Sequence, residues 1–302
     1  MQNISWDEFR LVKAIADSGS LAGAGDVLGL NHSTVFRRLN TLENELGSRL
    51  FERARTGYLP TPAGEEMVAL ATRMFDDITE FERRVAGRDV KPSGELRITT
   101  NDSLVAHLTT PLFGAFCRAY PEIKLDIVVD NRALNLSKRD ADVAIRATAE
   151  PPETLVGRRI ATIAWCVYGA ANCDIARTDD IQDLTEHTWI GFGDALSNIG
   201  PARWMARTVP ASKIIYRLNT VLGLSQAVEA GIGVSFLPSF IGDQSTRLKR
   251  LLPAPITFDS SLWLLTHPDL KNSARIRAFV DFMARELMKQ KALIEGTVKT
   301  HV

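Results

Sequence analysis

A short run of polar and basic side chains near the N-terminus has the types and spacing needed to contact base edges. Ser33, Arg37 and Asn40 recur at steps of four and three residues, which places them on one face of a helix. Side chains of this kind reach base edges when such a helix lies in the major groove of DNA. With two flanking residues they form the reading face: His32, Ser33, Phe36, Arg37 and Asn40.

Arginines cluster again just after this helix, where the chain is expected to turn back on itself. Residues 55–58, RTGY, favour the turn of a small hairpin. A guanidinium on such a hairpin is well placed to bind a phosphate oxygen, which fixes the register on DNA without reading its sequence. These wing arginines are Arg49, Arg53 and Arg55.

Two short helices on a tight turn must hold the reading face. Ser20 can cap a helix from about Leu21 to Leu28, and Asn31 can cap a longer one from His32 to about Leu46. The alternative, without a role in DNA binding, is a helical hairpin whose polar face contacts only solvent. Because a basic hairpin follows, the pattern favours a winged helix-turn-helix. The longer helix has an apolar stripe opposite the reading face: Val35, Leu39, Leu42 and Leu46.

A longer motif, which begins at the end of the second helix, identifies a family more specifically than the helix-turn-helix pattern does. Residues 42–64 contain the string LE-x-ELG-x-RLFER…TPAG, and Phe9, residues 18–20 (SGS) and the helix at 24–28 precede it. In order and spacing these residues resemble the N-terminal domain of LysR-type transcriptional regulators. The architecture downstream fits as well, so the resemblance covers nearly the whole chain.

The reading face departs from the family pattern at several positions. The family usually has Gln and then a small residue or Pro where this chain has His32 and Ser33. It usually has Ser at Phe36 and a second Ala at Gly25, whereas Arg37 matches. The DNA sequence that the family recognises therefore does not carry over to this chain.

Composition bounds the class of protein. The chain has 302 residues, 45% hydrophobic and 24% charged, which is ordinary for a globular protein. Its formal net charge is zero, so binding to DNA must depend on the local basic cluster between residues 37 and 55. The start, MQNISWDEFR, lacks the features of a signal peptide, and we find no apolar run of about 18 residues. We expect a cytoplasmic protein without a membrane segment.

Residues 62–91 are predicted to form a linker helix and a hinge. Thr61 can cap a helix whose first residue is Pro62 and which runs to about Val85. Its long apolar stripe favours pairing with the same helix of a second chain. The alternative is a connector packed on its own domain; the resemblance favours the homodimer. The stripe comprises Met67, Leu70, Met74, Ile78, Phe81 and Val85.

Beyond residue 92 the pattern changes to strands alternating with helices, which predicts a parallel sheet with crossover connections. Helices are expected at 103–120, 201–207, 222–230 and 274–291. Strands are expected at 95–100, 123–129, 142–145, 160–168, 189–192, 214–218, 234–237 and 262–266.

The resemblance implies an α/β effector domain of two Rossmann-like lobes, similar to periplasmic binding proteins, with crossings near Ala161 and His267. The expected organisation is a winged helix-turn-helix at 1–61, the linker at 62–91 and the effector domain at 92–302. Lobe I would comprise 92–161 and 268–302, and lobe II 162–267.

A ligand site is expected where the strands of the effector domain end. Ligands of open α/β sheets bind beyond the carboxyl ends of the strands. A small anion, such as a carboxylate, suits a cleft of this kind, although Asp102 argues against one unless it points away. For each residue the alternative is ordinary helix capping. The candidates are Thr100, Asn101, Ser103, Asn131, Arg146, Ser197, Asn198 and Thr220.

Motifs for other chemistry do not stand out. We find no dinucleotide fingerprint, nucleophile elbow or phosphate-binding loop, and the five histidines lack metal-ligand spacing, so no cofactor or metal is expected. Cys166 lies in an apolar strand, and Cys117 is predicted to be a core residue, so neither is expected to react.

Two classes of function remain. A solute-binding module, or an enzyme-like domain with an incidental helical domain, would need an export signal or a convergent set of titratable groups. The favoured hypothesis is a ligand-responsive transcription factor that binds double-stranded DNA at a pseudo-palindrome. The family pattern implies a homodimer through the linker helix and a tetramer through the C-terminal domains.

Overall fold

The computed structural model describes residues 4–54, 57–85, 92–131, 141–252, 256–271 and 273–297. The chain divides into two compact units, residues 1–90 and 91–302. Within the described part, no helix has the length and apolar character needed to cross a bilayer.

The first unit contains a three-helix cluster, a hairpin and a long helix. The second and third helices have the predicted bounds, because Ser20 and Asn31 cap them as expected by accepting the N–H groups of Gly23 and Thr34. The elements in chain order are α1 (Trp6–Ser18), α2 (Leu21–Leu28), α3 (His32–Leu46), β1 (Phe51–Ala54), β2 (Gly57–Pro60) and α4 (Pro62–Val85).

The core of this unit lies between α1, α2 and α3. Val35, Leu39 and Leu42 of the predicted stripe are buried against Leu11 and Ile15 of α1. Burial of this stripe turns the opposite face of α3 outward.

The second unit begins with β3 (Gly94–Thr100), after which the single helix expected at 103–120 is interrupted. Its middle is a π-helical turn, Val105–Thr109, between α5 (Asp102–Leu104) and α6 (Thr110–Ala119). Pro111 has no N–H and cannot bond the carbonyl of His107, four residues earlier. The side-chain amide of Gln244 donates to that carbonyl instead, at 3.2 Å.

The sheet of the second unit is mixed and not parallel as predicted. β3 runs parallel to β4 (Ile123–Val129) and β5 (Val143–Thr148), but β6 (Val156–Ala170) and β11 (Ile256–Thr266) pair antiparallel. The remaining elements are β7 (Trp189–Phe192), α7 (Gly200–Thr208), β8 (Ile214–Leu218), α8 (Val221–Glu229), β9 (Ser235–Pro238), α9 (Ser239–Gly242), β10 (Leu248–Arg250), α10 (Ala274–Lys289) and α11 (Lys291–Ile294). The strand order in the sheet is β10-β6-β11-β5-β3-β4, with β9 also on β6, while β7 and β8 form a parallel pair.

Two long strands, β6 and β11, connect the lobes. The first part of β6 pairs with β11, and its residues 165–170 pair with β9 and β10 of lobe II. In β11, residues 261–266 pair with β5 of lobe I. The second crossing therefore lies before Ser261, at a shift in register, and the expected crossing near His267 is wrong.

The C-terminal helix packs on lobe I. Phe279 and Phe282 of α10 meet the ring of Phe116 at centroid distances of 5.0 and 5.4 Å. The helix ends at Lys289, and the chain continues into α11 instead of reaching Lys291 unbroken. Because Phe116 faces this core, its neighbour Cys117 is exposed, and its prediction as a core residue is wrong.

Candidate functional site

The reading face is exposed along one side of α3. His32, Ser33, Phe36 and Arg37 are exposed, and Asn40 is half-buried. Phe36 leaves 48% of its surface in contact with solvent. Since the core of this unit does not use that ring, an apolar contact with another molecule is a natural role for it.

A hydrogen bond at the start of α3 limits how the hydroxyl of Ser33 can bind another molecule. Its hydroxyl donates to Oδ1 of Asn31 at 2.8 Å, and the same oxygen caps Thr34 N–H at 2.9 Å. A hydroxyl whose hydrogen is used in this way retains only acceptor capacity. Ser33 therefore presents an acceptor to a partner in this geometry.

A carboxylate on α3 anchors the hairpin. Glu43 Oε1 accepts hydrogen bonds from the backbone N–H groups of Leu50 and Phe51, at 2.7 and 3.1 Å. These bonds fix the start of β1 relative to the reading face. Arg49 and Arg53 are both exposed on this segment, while Arg55 lies outside the described residues.

The other end of the hairpin is tied to α4. Thr61 donates its hydroxyl hydrogen to the carbonyl of Arg49 at 2.7 Å and caps Gly64 N–H at 3.1 Å. A Cβ on Gly64 would lie 1.9 Å from the carbonyl oxygen of Leu50, so this close approach requires glycine. The TPAG string thus ties the segment at Arg49 and Leu50 to the start of α4.

The distal half of α4 leaves apolar side chains exposed in the single chain. Met67 is buried within the unit, whereas Ile78 and Phe81 are 38% and 60% exposed, and Phe75 is exposed as well. A stripe that is buried at one end and exposed at the other has the character of a helix–helix contact surface. The final turn of the stripe, at Val85, has no described side chain.

In the second unit, a side-chain hydrogen bond between Thr220 and Asp102 joins the two lobes at the cleft. Thr220, between β8 and α8 of lobe II, donates its hydroxyl hydrogen to Oδ2 of Asp102 in lobe I. The backbone N–H of Asp102 in turn donates to Oδ1 of Asn131 at 3.1 Å. Three polar segments, each at the carboxyl end of a strand, therefore meet at Asp102.

A cation lies beside this cluster. Arg146 donates from Nη2 to the hydroxyl of Thr99 at 2.6 Å and from Nη1 to the carbonyl of Asp130. Burial lowers the pKa of Arg146, and Asp130 opposes that shift. The guanidinium is held by these two bonds, and three of its five N–H groups have no acceptor among the described residues.

Two oxygen atoms at the end of β3 are buried without a hydrogen-bond partner among the described residues. They are Oγ1 of Thr100, which is 0% exposed, and Oδ1 of Asn101. Ser103, next in the same turn, is also buried, and its N–H donates to Oδ1 of Asp102 at 2.6 Å. Orphan buried acceptors are uncommon in folded proteins and call for an explanation.

The remaining candidates, Ser197 and Asn198, form no hydrogen bond with this cluster among the described residues. Ser197 donates to the carbonyl of Asp194 at 2.7 Å, and the carbonyl of Asn198 accepts from Arg203. These are local turn contacts of the kind that the capping alternative predicted.

Two residues that matter here were not among the candidates. Asp102 was set aside because of its charge, although it lies in the same TNDS turn. Thr99, on the face of β3 opposite to Thr100, accepts a hydrogen bond from Arg146. The two residues are far apart in the sequence, so no local pattern predicts this pair. Within the described ranges, no group of His, Cys, Asp or Glu side chains is arranged to hold a metal ion.

Comparison with known proteins assigns both units. Residues 6–65 match the family described as "Bacterial regulatory helix-turn-helix protein, lysR family", and residues 90–288 match the "LysR substrate binding domain". The curated regulator CrgA of Neisseria meningitidis serogroup C is 28% identical over 297 residues, covering 93% of this chain and 96% of CrgA.

Further similarities agree with this assignment. The probable regulator LtrA of Klebsiella pneumoniae is 24% identical over 290 residues, with 92% of this chain and 93% of LtrA covered. The solved structure of CrgA from Neisseria meningitidis superimposes with a TM-score of 0.55 at 23% identity, covering 94% and 99% of the two chains, and supports the fold. These relatives are named as transcriptional regulators, and their family is non-enzymatic. The chain therefore belongs to the family of LysR-type transcriptional regulators.

Proposed function

We propose that this protein binds a specific DNA sequence through α3 and changes that binding in response to a small metabolite in the cleft between its lobes. The observation that supports DNA reading most directly is the exposure of His32, Phe36 and Arg37 on a helix whose opposite face is buried. In this proposal residues 1–61 bind DNA, 62–91 link two chains and 92–302 bind the effector. Because its target is chromosomal DNA, we place the protein in the cytoplasm.

Within the DNA complex, the two clusters of residues have different roles. Arg37, Ser33 and Phe36 contact bases, with His32 and Asn40 at the margin of the contact. Phe36 packs on a thymine methyl group, an apolar contact that suits its exposed ring. Arg49, Arg53 and Arg55 bind phosphates and add affinity that does not depend on sequence.

Pairing of two chains sets the form of the DNA site. The exposed stripe of α4, with Phe75, Ile78 and Phe81, packs against the same stripe of a second chain. Two reading faces then contact two half-sites about one turn of DNA, roughly 34 Å, or a multiple apart on a pseudo-palindrome. A further pairing of effector domains gives a tetramer.

The effector is proposed to be a small molecule with a carboxylate. Arg146 supports this choice because its guanidinium is held in place and three of its donors have no acceptor among the described residues. Thr100, Asn101, Ser103, Asn131 and Thr220 surround the same cleft, and Ser197 and Asn198 are proposed to complete it on the lobe II side. Binding changes DNA affinity only to the extent that the ligand prefers one conformation of the protein.

A mobility-shift titration tests the proposal. The probe is DNA from upstream of the protein's own gene, used at two salt concentrations with a scrambled fragment as competitor. Retardation that survives the competitor and weakens with salt supports sequence-specific regulation. Equal binding to both fragments at both salt concentrations counts against recognition of this DNA.

A further inference from the structure

We propose that the effector carries a protonated amine, held by Asp102, in addition to the carboxylate at Arg146, so that it belongs to the class of free L-α-amino acids. This inference rests on the proposed function, because it names the ligand of the same cleft.

The carboxylate of Asp102 has capacity for a cationic donor. Its Oδ1 accepts one bond, from Ser103 N–H, and its Oδ2 accepts one, from Thr220. A carboxylate can accept about four hydrogen bonds. Among the described residues, no lysine, arginine or histidine forms an ion pair with it. Since Thr220 belongs to the other lobe, this negative charge lies at the junction of the two walls of the cleft.

The neighbouring residues add further acceptors to the same turn. Oδ1 of Asn101 and Oγ1 of Thr100 are buried and have no partner in the described part of the chain. Together with Asp102 they give three successive residues with unused oxygen lone pairs. A primary ammonium group has three N–H donors and suits such a set, whereas a carboxylate has none. The orphan amide oxygen of Asn101 is thus explained by a ligand that donates hydrogen bonds, and the hydroxyl of Thr100, which can accept as well as donate, is compatible with it.

The guanidinium of Arg146 and the turn at Asp102 bind neighbouring residues of one segment, Asp130 and Asn131. Asp130 accepts from Arg146 through its carbonyl, and the next residue, Asn131, accepts from the N–H of Asp102. A ligand with only a carboxylate would bring a second negative charge near Asp102, and like charges repel. A ligand with only an amine would offer no acceptor to the N–H groups of Arg146 that have no bond within the described residues. A zwitterion satisfies both groups.

The test uses the full chain and matched ligands. Thermal denaturation and DNA mobility shift are measured with each common L-α-amino acid, with its des-amino carboxylic acid and with its decarboxylated amine. We expect at least one amino acid to raise the melting temperature and to change the DNA complex, with affinity about tenfold above that of its des-amino analogue. Equal or tighter binding of the des-amino acid, or no response to any of the amino acids, overturns the proposal.

A pair of variants assigns the effect to Asp102. Asp102→Asn keeps an acceptor for Thr220 but removes the charge, and we expect it to lose amino-acid affinity about tenfold with DNA binding intact. Asp126→Asn, at a half-buried carboxylate on β4 of the same lobe that pairs with Arg97, should bind like the wild type. Unchanged amino-acid affinity in Asp102→Asn contradicts the inference.

Failure of this inference and failure of the proposed function give different results. If DNA binding responds to des-amino carboxylates alone, the amine is wrong and the proposed regulator stands. If the protein does not distinguish specific from scrambled DNA under any condition, the proposed function itself is wrong.

Discussion

The hydroxyl of Thr220 donates a hydrogen bond to the carboxylate of Asp102, and this bond joins the two lobes of the effector domain. Each residue lies in a turn that follows a strand, β8 for Thr220 and β3 for Asp102. Small movements of one lobe relative to the other must stretch or break this contact. The free energy of this hydrogen bond therefore contributes to the equilibrium between closed and open forms of the cleft.

Replacing Thr220 with Val should reduce the free energy of unfolding of the effector domain by about 1–3 kcal/mol, because a hydrogen bond to a charged acceptor is lost. Urea denaturation of the purified protein measures the change. Thr208→Val is the matched control, since Thr208 lies in the same lobe and its side chain has no hydrogen bond within the described residues. If the two variants unfold alike, the Thr220–Asp102 bond does not contribute to stability.

Alanine at two helical glycines should have opposite effects. Gly64→Ala places a Cβ 1.9 Å from the Leu50 carbonyl and should destabilise the N-terminal unit by about 1–3 kcal/mol. Gly114→Ala meets only the flexible end of Arg118, at 3.7 Å, and should stabilise the second unit by up to about 1 kcal/mol. Thermal melts followed by circular dichroism distinguish the two. A stabilised Gly64→Ala variant would mean that the hairpin is not held against α4 as described.

Base contacts and phosphate contacts should respond differently to mutation. Arg53→Ala should weaken binding to all DNA sequences and reduce the slope of log affinity against log salt by about 1. Phe36→Ala should keep that slope but lose about 1–3 kcal/mol of preference at one base pair. Anisotropy titrations on the operator and on single-base variants measure both quantities. Identical specificity in Phe36→Ala and wild type would remove Phe36 from the reading face.

The cysteines should differ in reactivity. Burial raises the pKa of Cys166 to about 11, so its thiol stays protonated at pH 8, where alkylation depends on the thiolate. Cys117 is exposed on α6. Iodoacetamide at pH 8 should therefore label Cys117 in the native protein and Cys166 only after unfolding, as read by peptide mass spectrometry. Rapid labelling of Cys166 in the native protein would contradict its burial.

Local signals were sufficient to predict the N-terminal unit. Ser20 and Asn31 accept the capping bonds that their positions suggested, and the stripe led by Val35 is buried. Each of these depends on residues within one or two helical turns. The close approach of Gly64 to Leu50 could be inferred only from the family string, since no local pattern requires it.

Long-range pairing explains what the sequence did not predict in the second unit. Strand direction depends on which strands meet, so the antiparallel pairing of β6 and β11 and the crossing before Ser261 were missed. The π-helical turn depends on Pro111 together with Gln244, which lies far along the chain. In the cleft, polar residues after strands were predictable, but the direction of the Asp102 carboxylate was decided by Thr220 on the other lobe.

Selection from a pool of random duplex DNA tests the central claim most directly. The purified full-length protein and its Arg37→Ala variant are each used to recover bound sequences, which are then read and aligned. We predict that the wild type enriches two inverted half-sites spaced by about one turn of DNA, or a multiple, and that Arg37→Ala loses the preference at the bases it contacts. Recovery of unrelated sequences by the wild type, or of the same motif with the same strength by both proteins, would contradict reading of DNA by this face of α3.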